Sequence, residues 1–303
     1  MTATPHVYPT REEWLAAKRN FVGASEAAAV CGLDPYRSAY SLWATKVGLV
    51  VDSGAEVSEA AFWGNVLEPV IAERYSQETG FALLDHGRTT VMRGEHPILT
   101  ATLDREILAP GHPGALEIKA PGFLQRDKWE AGPPERYVLQ LQAQLSVTGW
   151  SWGAIACLIG GQDFRIYRLE RDQELIALIL EQVDSFWRCV RDQVPPEPDG
   201  SASTARTLKI LYPEDSGVEV MLDPGMEHWA RVLQVARAEE KRHAATAAQA
   251  ENHLRLAIGT ATYARVGEFY VSAKTTKRAG YTVEPTTFRA LKFTDAKITK
   301  RNP

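Results

Sequence analysis

Three of the charged residues in the stretch TATLDREILAPGHPGALEIKA, residues 100–120, could do chemistry together. Asp104 precedes a turn rich in proline and glycine, and Glu117 and Lys119 follow that turn, separated by Ile118. Alternate side chains of a β-strand point to the same face, so Glu117 and Lys119 are expected on one face and Ile118 on the other. If the segments on either side of the turn pair, two carboxylates and one ammonium converge on one point.

Such a group could hold a metal and act on a phosphate. Carboxylate oxygens suit Mg²⁺ or Mn²⁺, which can activate a water and neutralise a scissile phosphate. Lys119 could orient or deprotonate that water, or stabilise the developing anion. Taken alone, the pattern is more typical of a solvated strand face, where opposite charges pair weakly. The context favours chemistry, because Glu68, a third carboxylate, precedes Pro69 within a predicted helix, and such local conflicts tend to mark function.

The elements that must position these residues follow from the hydrophobic pattern, which predicts an α/β fold with a mixed sheet flanked by helices. Helices are predicted over 10–31 (with a loop at 23–25), 38–47, 56–79, 133–149, 172–192 and 224–258. Strands are predicted over 88–94, 98–107, 114–120, 152–159 and 163–169, with two or three more within 260–293. Five tryptophans are expected in the core rather than in a base-stacking platform, namely Trp43, Trp63, Trp150, Trp152 and Trp187.

Composition excludes several classes of protein. Apolar residues make up 45% of the 303 residues, which is enough for a sizeable core. The net charge of −4 means that any nucleic-acid footprint must be local. The three cysteines are widely spaced and predict neither a disulfide framework nor a zinc site, which fits the reducing cytoplasm. The longest apolar run, 153–160, is too short to span a membrane, and no membrane association is expected.

A linker is predicted at 194–201, where the sequence is VPPEPDGS. It divides the chain into a domain at 1–198 and an extension at 199–303, formed by a long helix and short strands. The end of the chain is basic: from Val271 onward, eight Lys or Arg residues stand against Glu284 and Asp295. A solvated surface and a phosphate-contacting arm both remain open for this tail.

Six motifs occur in an order that resembles the YqaJ-type viral recombinase family, relatives of the bacteriophage lambda exonuclease within the PD-(D/E)XK nuclease superfamily. The resemblance runs from about Trp14 to Val190. The motifs are WLAAKRNFVGASEAAAVCGLDPY at 14–36, WGNVLEP at 63–69, TLD at 102–104, LEIK at 116–119, YVLQLQ at 137–142, and GGQDFRIYRLERD at 160–172 leading to FW at 186–187.

The resemblance implies a restriction-endonuclease-like core and assigns roles to individual positions. The implied catalytic residues are Asp104, Glu117, Lys119, Glu68 and Gln140, and the implied metal ligands are Asp104, Glu117, the Ile118 carbonyl and Glu68. Tyr137 lies one helical turn before Gln140, on the same face. Gln142 and Gln144 are interpreted as surface or packing residues.

The family also binds the 5′-phosphate of a DNA end, and Ser25 matches its phosphate-binding serine. The family's arginine, seven positions before that serine, is replaced here by Lys18, with Arg19 beside it. Either could serve the phosphate, but lysine lacks the bidentate fork of arginine. The preference of this chain for a 5′-phosphorylated end is therefore open.

The function implied is a Mg²⁺-dependent exonuclease, with Mn²⁺ as the alternative cation, which degrades one strand of linear duplex DNA from its 5′ end. Its 3′ overhangs would serve a single-strand annealing partner. The resemblance also implies a homo-oligomer, with a trimer as the family's pattern, in the cytoplasm of a bacterial host of a phage or prophage. A structure-specific endonuclease of the same fold and a non-catalytic DNA-end-binding protein are the alternatives. Three dispersed cysteines exclude a four-cysteine iron–sulfur cluster within one chain.

Overall fold

The computed structural model describes residues 3–51, 58–277 and Arg289. The chain forms two compact units, Met1–Tyr212 and Pro213–Pro303. In chain order, the strands of the described residues are β1 Thr4–Val7, β2 Val22–Gly23, β3 Ala82–Leu84, β4 Thr90–Arg93, β5 Leu99–Ala101, β6 Arg105–Leu108, β7 Gly114–Lys119, β8 Trp152–Ile159, β9 Asp163–Glu170, β10 Tyr263–Val266 and β11 Phe269–Ser272. The α-helices are α1 Arg11–Ala17, α2 Ala27–Val30, α3 Ala39–Lys46, α4 Glu59–Thr79, α5 Glu135–Thr148, α6 Gln173–Asp192, α7 Ala202–Leu211 and α8 Met226–Ile258.

A five-stranded mixed sheet forms the centre of the first unit, in the order β3-β6-β7-β8-β9. β7 and β8 are parallel and the other neighbours are antiparallel. The apolar sequence WGAIACLI makes β8 a buried inner strand, as its continuous apolar run predicts. The helical crossover between β7 and β8 contains α5, and the parallel pairing requires a connection of this length.

Helices cover both faces of this sheet. Ile118 packs with Ile71 and Tyr75 of α4 on one face, whereas Ala115 packs with Leu141 of α5 and with residues of α6 on the other. Because side chains alternate along β7, Glu117 and Lys119 lie on the α5 face. The predicted mixed sheet flanked by helices is confirmed.

A second, four-stranded sheet has the order β1-β4-β5-β2 and corrects two predictions. The single strand expected over 98–107 is wrong, because β5 belongs to this sheet and β6 to the central one. Asp104 lies in the short connection between them. The helix expected from residue 10 to the loop at 23–25 is also too long. α1 ends at Ala17, and residues 22–23 form β2, which pairs with β5 in parallel.

The helix α4 continues through Pro69, starting from a Ser58 side chain that accepts the Ala61 backbone N–H and ending at Gly80 with φ +74°. Trp63 on this helix is 52% exposed, so its predicted place in the core is wrong. Its indole N–H donates to Glu59 instead. Trp43 and Trp152 are buried as predicted.

α7 belongs to the first unit. The hydroxyl of Ser203 accepts the Ser38 backbone N–H at 3.1 Å, and the hydroxyls of Thr204 and Ser38 lie 2.8 Å apart. These contacts hold residues of the predicted extension against α3. The domain boundary at 198 stays a prediction.

The second unit contains α8 and an antiparallel hairpin of β10 and β11. The hairpin lies within the span 260–293 where short strands are predicted. The rest of that span and most of the basic tail lie outside the described residues, with Lys274, Lys277 and Arg289 as the exceptions. Across the part of the chain that the structure describes, no helix has the length and apolar character needed to cross a membrane.

Candidate active site

Glu117 lies on β7 with only 1% of its surface exposed. Its Oε1 accepts a hydrogen bond from Gln140 Nε2 at 2.7 Å and contacts Lys119 Nζ, and its Oε2 accepts one from Gln144 Nε2 at 2.7 Å. A buried carboxylate needs donors of this kind to offset the loss of hydration. Three side chains from one strand and one helix therefore fix both oxygens of Glu117.

Gln144 corrects an interpretation made from the sequence. It is fully buried and contacts Glu117 directly, whereas Gln142 bonds the Glu170 carbonyl and the Asp172 N–H and is a packing residue as expected. The signal was present in the sequence, since Gln140 and Gln144 are four residues apart and so share a helix face. The side-chain oxygen of Gln144, Oε1, is buried and has no hydrogen-bond partner among the described residues.

Asp104 faces Glu117 from the neighbouring connection. Its Oδ2 accepts the Ile118 backbone N–H at 2.7 Å. Burial and the nearby Glu117 charge raise the pKa of Asp104 to about 8, although Lys119 and the Ile118 hydrogen bond oppose the shift. The carboxyl groups thus interact electrostatically, as two acids that share one site do.

Lys119 projects between the carboxylates. Burial lowers the pKa of its ammonium, but Glu117 and Asp104 outweigh that effect and leave the pKa raised. Its Nζ also lies 4.9 Å from the centroid of the Tyr137 ring, within the range of a cation–π contact. These surroundings favour the charged ammonium, which stabilises an anion rather than removing a proton from water.

Glu68 reaches the site from α4 and is paired with two arginines. Its Oε1 accepts from Arg105 at 2.8 Å and its Oε2 from Arg88 at 2.9 Å. Arg88 also donates to Asn65 Oδ1 at 2.9 Å, and Arg105 donates to the Asp104 carbonyl. Nothing in the sequence pattern singles out these two arginines, which come from separate segments.

The acidic side chains of the site fit a divalent cation only in part. Among the described residues, no three His, Cys, Asp or Glu side chains are grouped as a metal-binding cluster. Asp104 and Glu117 nevertheless fit a cation, because the raised pKa of Asp104 reflects negative charge that an added cation would neutralise. Both Glu68 oxygens are held by arginines. This geometry supports Asp104 and Glu117 as the two carboxylate ligands. Glu68 would act through its arginine partners or through water.

A cavity of about 500 Å³ joins these residues to the predicted phosphate-binding ones. Asp104, Glu117, Lys119, Glu68 and Gln140 line it together with Ser25 and Lys18. Arg19 lines a neighbouring cavity of about 450 Å³ that Ser25 does not line, so the structure brings Lys18 to Ser25 and places Arg19 elsewhere.

The loop that presents Ser25 is held by a buried ion pair that the sequence analysis missed. Lys46 Nζ contacts Glu26 Oε2 at 2.7 Å and donates to the carbonyls of Lys18 and Phe21, each at 2.6 Å. The same Glu26 oxygen accepts the Gly23 backbone N–H at 3.0 Å. Lys46 and Glu26 thus fix the segment that carries both Lys18 and Ser25.

The mixed sheet, with carboxylates on an inner strand and on the connection before it, defines the restriction-endonuclease-like α/β fold. Residues 13–151 match the YqaJ-like viral recombinase domain family. The YqaJ protein of Bacillus subtilis (strain 168) is 29% identical over 269 residues, which cover 86% of this chain and 82% of that protein. A match of that extent reaches past the 212 residues of the first unit.

Two crystal structures of an exonuclease are similar to part of this chain. The alkaline exonuclease LHK-Exo from Laribacter hongkongensis has a TM-score of 0.50 and 27% identity, covering 60% of this chain and 94% of that one. Its complex with dAMP matches with the same TM-score of 0.50 and the same coverage at 28% identity.

Proposed function

We propose that this protein is a Mg²⁺-dependent exonuclease that degrades one strand of linear duplex DNA from the 5′ end. Mn²⁺ is the alternative cation, since both ions take oxygen ligands. The single observation that supports the proposal most is the shared cavity, in which Ser25 and Lys18 line the same space as Asp104, Glu117 and Lys119. A phosphate-binding wall beside a hydrolytic wall is what removal of a terminal nucleotide requires.

The coarser part of the proposal, a nuclease acting in phage-type recombination, is supported by the family of the domain and by the likeness to LHK-Exo. By extension, the 3′ overhangs would pass to a single-strand annealing protein, and the enzyme would act as a homo-oligomer, a trimer by the family's pattern. The division into a nuclease domain and an extension near residue 198 is part of the same proposal.

Each residue has a role in this mechanism. Asp104, Glu117 and the Ile118 carbonyl would hold the cation, which supplies an activated water and charge neutralisation at the scissile phosphate. Gln140 and Gln144 fix the Glu117 oxygens by hydrogen bonds. Lys119, held as an ammonium, stabilises the negative charge that develops on the phosphate. Ser25 and Lys18 hold the 5′-phosphate and so set which bond is cut.

The test uses linear duplex DNA labelled at the 5′ or the 3′ end, with Mg²⁺ or with EDTA, beside a covalently closed circle. Release of 5′-terminal mononucleotides from the linear DNA only, lost with EDTA and with Lys119→Ala, is the expected result. Lys128→Ala is the matched control, because Lys128 is exposed and lines none of the cavities described above.

Three outcomes would contradict the proposal. Cleavage of the circle would indicate an endonuclease. Release from the 3′ end would reverse the polarity. DNA binding without metal-dependent cleavage of either substrate would indicate a non-catalytic end-binding protein.

A further inference from the structure

A second cavity, of about 590 Å³, adjoins the candidate active site. It shares four lining residues with the Ser25 cavity, namely Asn65, Glu68, Asp104 and Lys119. Its remaining wall differs and includes Tyr36, Gln125, Arg136 and Tyr137. These shared residues therefore lie between the two cavities. Ser25 and Lys18 line one cavity, and Arg136 lines the other.

Arg136 is held between two aromatic rings. Its guanidinium carbon lies 4.8 Å from the Tyr36 ring centroid and 4.4 Å from that of Tyr137, and it donates to the Tyr137 hydroxyl. Tyr36 is 55% exposed, whereas the Tyr137 ring stacks on the buried Trp129 with centroids 5.4 Å apart. Stacking on tyrosines holds a guanidinium in place without neutralising its charge.

The charge of Arg136 has no acidic partner within residues 3–51 and 58–277, where no carboxylate forms an ion pair with it. Of the other arginines at the site, Arg88 and Arg105 are both paired with Glu68, and Arg11 lines the Ser25 cavity but not this one. A fixed, unneutralised guanidinium beside a cavity is suited to bind an anion, and its planar fork matches phosphate.

The order of these features fits one strand of DNA. If the terminal 5′-phosphate lies at Ser25 and the scissile phosphate at Asp104 and Lys119, the strand must continue away from Ser25. The second cavity is the space on the far side of the shared residues, and Arg136 is its cation besides the shared Lys119.

We propose that Arg136 binds the first backbone phosphate beyond the scissile one, on the strand that is degraded, with Tyr36 and Tyr137 as positioning residues. This subsite rests on the proposed exonuclease function. It would position the DNA strand by a sequence-independent contact, as phosphate contacts do.

The first test measures binding of 5′-phosphorylated duplex in EDTA, across a salt series, for the wild type and Arg136→Gln. One lost phosphate contact reduces the slope of log K against log salt by about 0.9. Arg168→Gln is the matched control, because Arg168 also stacks on an aromatic ring, 3.9 Å from the Trp152 centroid, but lines none of the described cavities. We expect weaker binding and a lower slope for Arg136→Gln only, and equal thermal midpoints for the two variants.

The second test replaces single DNA phosphates by neutral methylphosphonates. In the wild type, a methylphosphonate at the linkage just beyond the scissile phosphate is expected to weaken binding about as much as Arg136→Gln does. The same modification should weaken binding by Arg136→Gln almost no further, because the effects of removing the two partners of one contact do not add. Arg136→Lys keeps the charge and should retain most of the salt slope at lower affinity.

Equal binding and equal slopes for Arg136→Gln and Arg168→Gln would overturn the proposal. So would a methylphosphonate effect at that linkage that is as large in Arg136→Gln as in the wild type. Absence of cleavage by the wild type in Mg²⁺ would instead refute the exonuclease, because this subsite is detected by binding without metal.

Discussion

Replacing Lys46 with methionine tests whether the buried ion pair with Glu26 supports the phosphate-binding loop. Methionine keeps an unbranched chain of similar length but removes the ammonium and its contacts to Glu26, Lys18 and Phe21. The side chains of the pair are only 2% and 6% exposed, so water cannot replace the lost partner. Breaking a buried pair in this way costs about 3–5 kcal/mol.

The expected loss of unfolding free energy for Lys46→Met is therefore about 3–5 kcal/mol. The loss of a charged donor to two carbonyls should not increase this free-energy cost in full, since Glu26 can take up a proton and the loop can relax. The double variant Lys46→Met with Glu26→Gln leaves no buried charge, so we expect it to be more stable than Lys46→Met alone.

The loss should also depend on pH. Burial raises the pKa of Glu26, but Lys46, Lys18 and Arg37 outweigh burial and leave the pKa lowered. In the wild type Glu26 thus adds stability above the carboxyl's ordinary pKa of 4.5, and this is lost as the pH falls. Without Lys46, burial dominates and Glu26 opposes folding as the pH rises. The first effect separates the two proteins as the pH rises to about 4.5, and the second widens the gap between them further above that pH.

Urea unfolding at pH 5 and pH 7, followed by tryptophan fluorescence, measures this difference. Lys128→Met, at an exposed position, is the control. A second readout is the ratio of cleavage rates on 5′-phosphorylated and 5′-hydroxyl DNA, which should fall because the carbonyls of Lys18 and Phe21 lose their donor. A Lys46→Met protein within about 1 kcal/mol of the control, a range typical of exposed pairs, would refute the reasoning.

Three further predictions concern the cavity itself. Asp104→Asn should abolish cleavage yet stabilise the metal-free protein, because the raised pKa makes ionised Asp104 oppose folding. The stabilisation should grow from about pH 4 to about pH 8 and stay constant above that pH. Thermal midpoints in EDTA measure it, and a pH-independent difference would contradict the prediction. Gln144→Leu should lower kcat roughly 10–100-fold by releasing one Glu117 oxygen, whereas Gln142→Leu should leave kcat unchanged; equal kcat values for the two would exclude the role of Gln144. Lys18→Arg should raise the preference for 5′-phosphorylated ends. Lys18→Ala should lower this preference about tenfold or more, since a charge-assisted hydrogen bond contributes about 1.5–3 kcal/mol. Arg19→Ala should leave the preference unchanged, and an effect of Arg19→Ala would place the phosphate in the other cavity.

The parts of the site that local patterns encode were predictable. Glu117 and Lys119 share a face because strand side chains alternate, and the turn before them brings Asp104 alongside. These relations depend on two or three residues of spacing and on the pairing of adjacent strands, so a single sequence contains them.

The residues that the sequence did not reveal depend on contacts between distant segments. Arg88 and Arg105 meet Glu68 across 20 and 37 residues. Lys46 reaches Glu26 and the Lys18 carbonyl only because α3 packs beside the loop. A charged residue in a predicted helix is most often a solvated one, and no periodicity distinguishes the few that are buried in pairs.

The four-stranded sheet explains how the two halves of the site stay in register. β2 ends at Gly23, directly before the Ser25 turn, and β5 ends three residues before Asp104. Since β2 and β5 run parallel with Val22 opposite Leu99, both segments leave the same edge of one sheet in the same direction. The distance between the phosphate-binding loop and the acidic residues is thus set by two strand-pairing positions and by the Lys46 anchor.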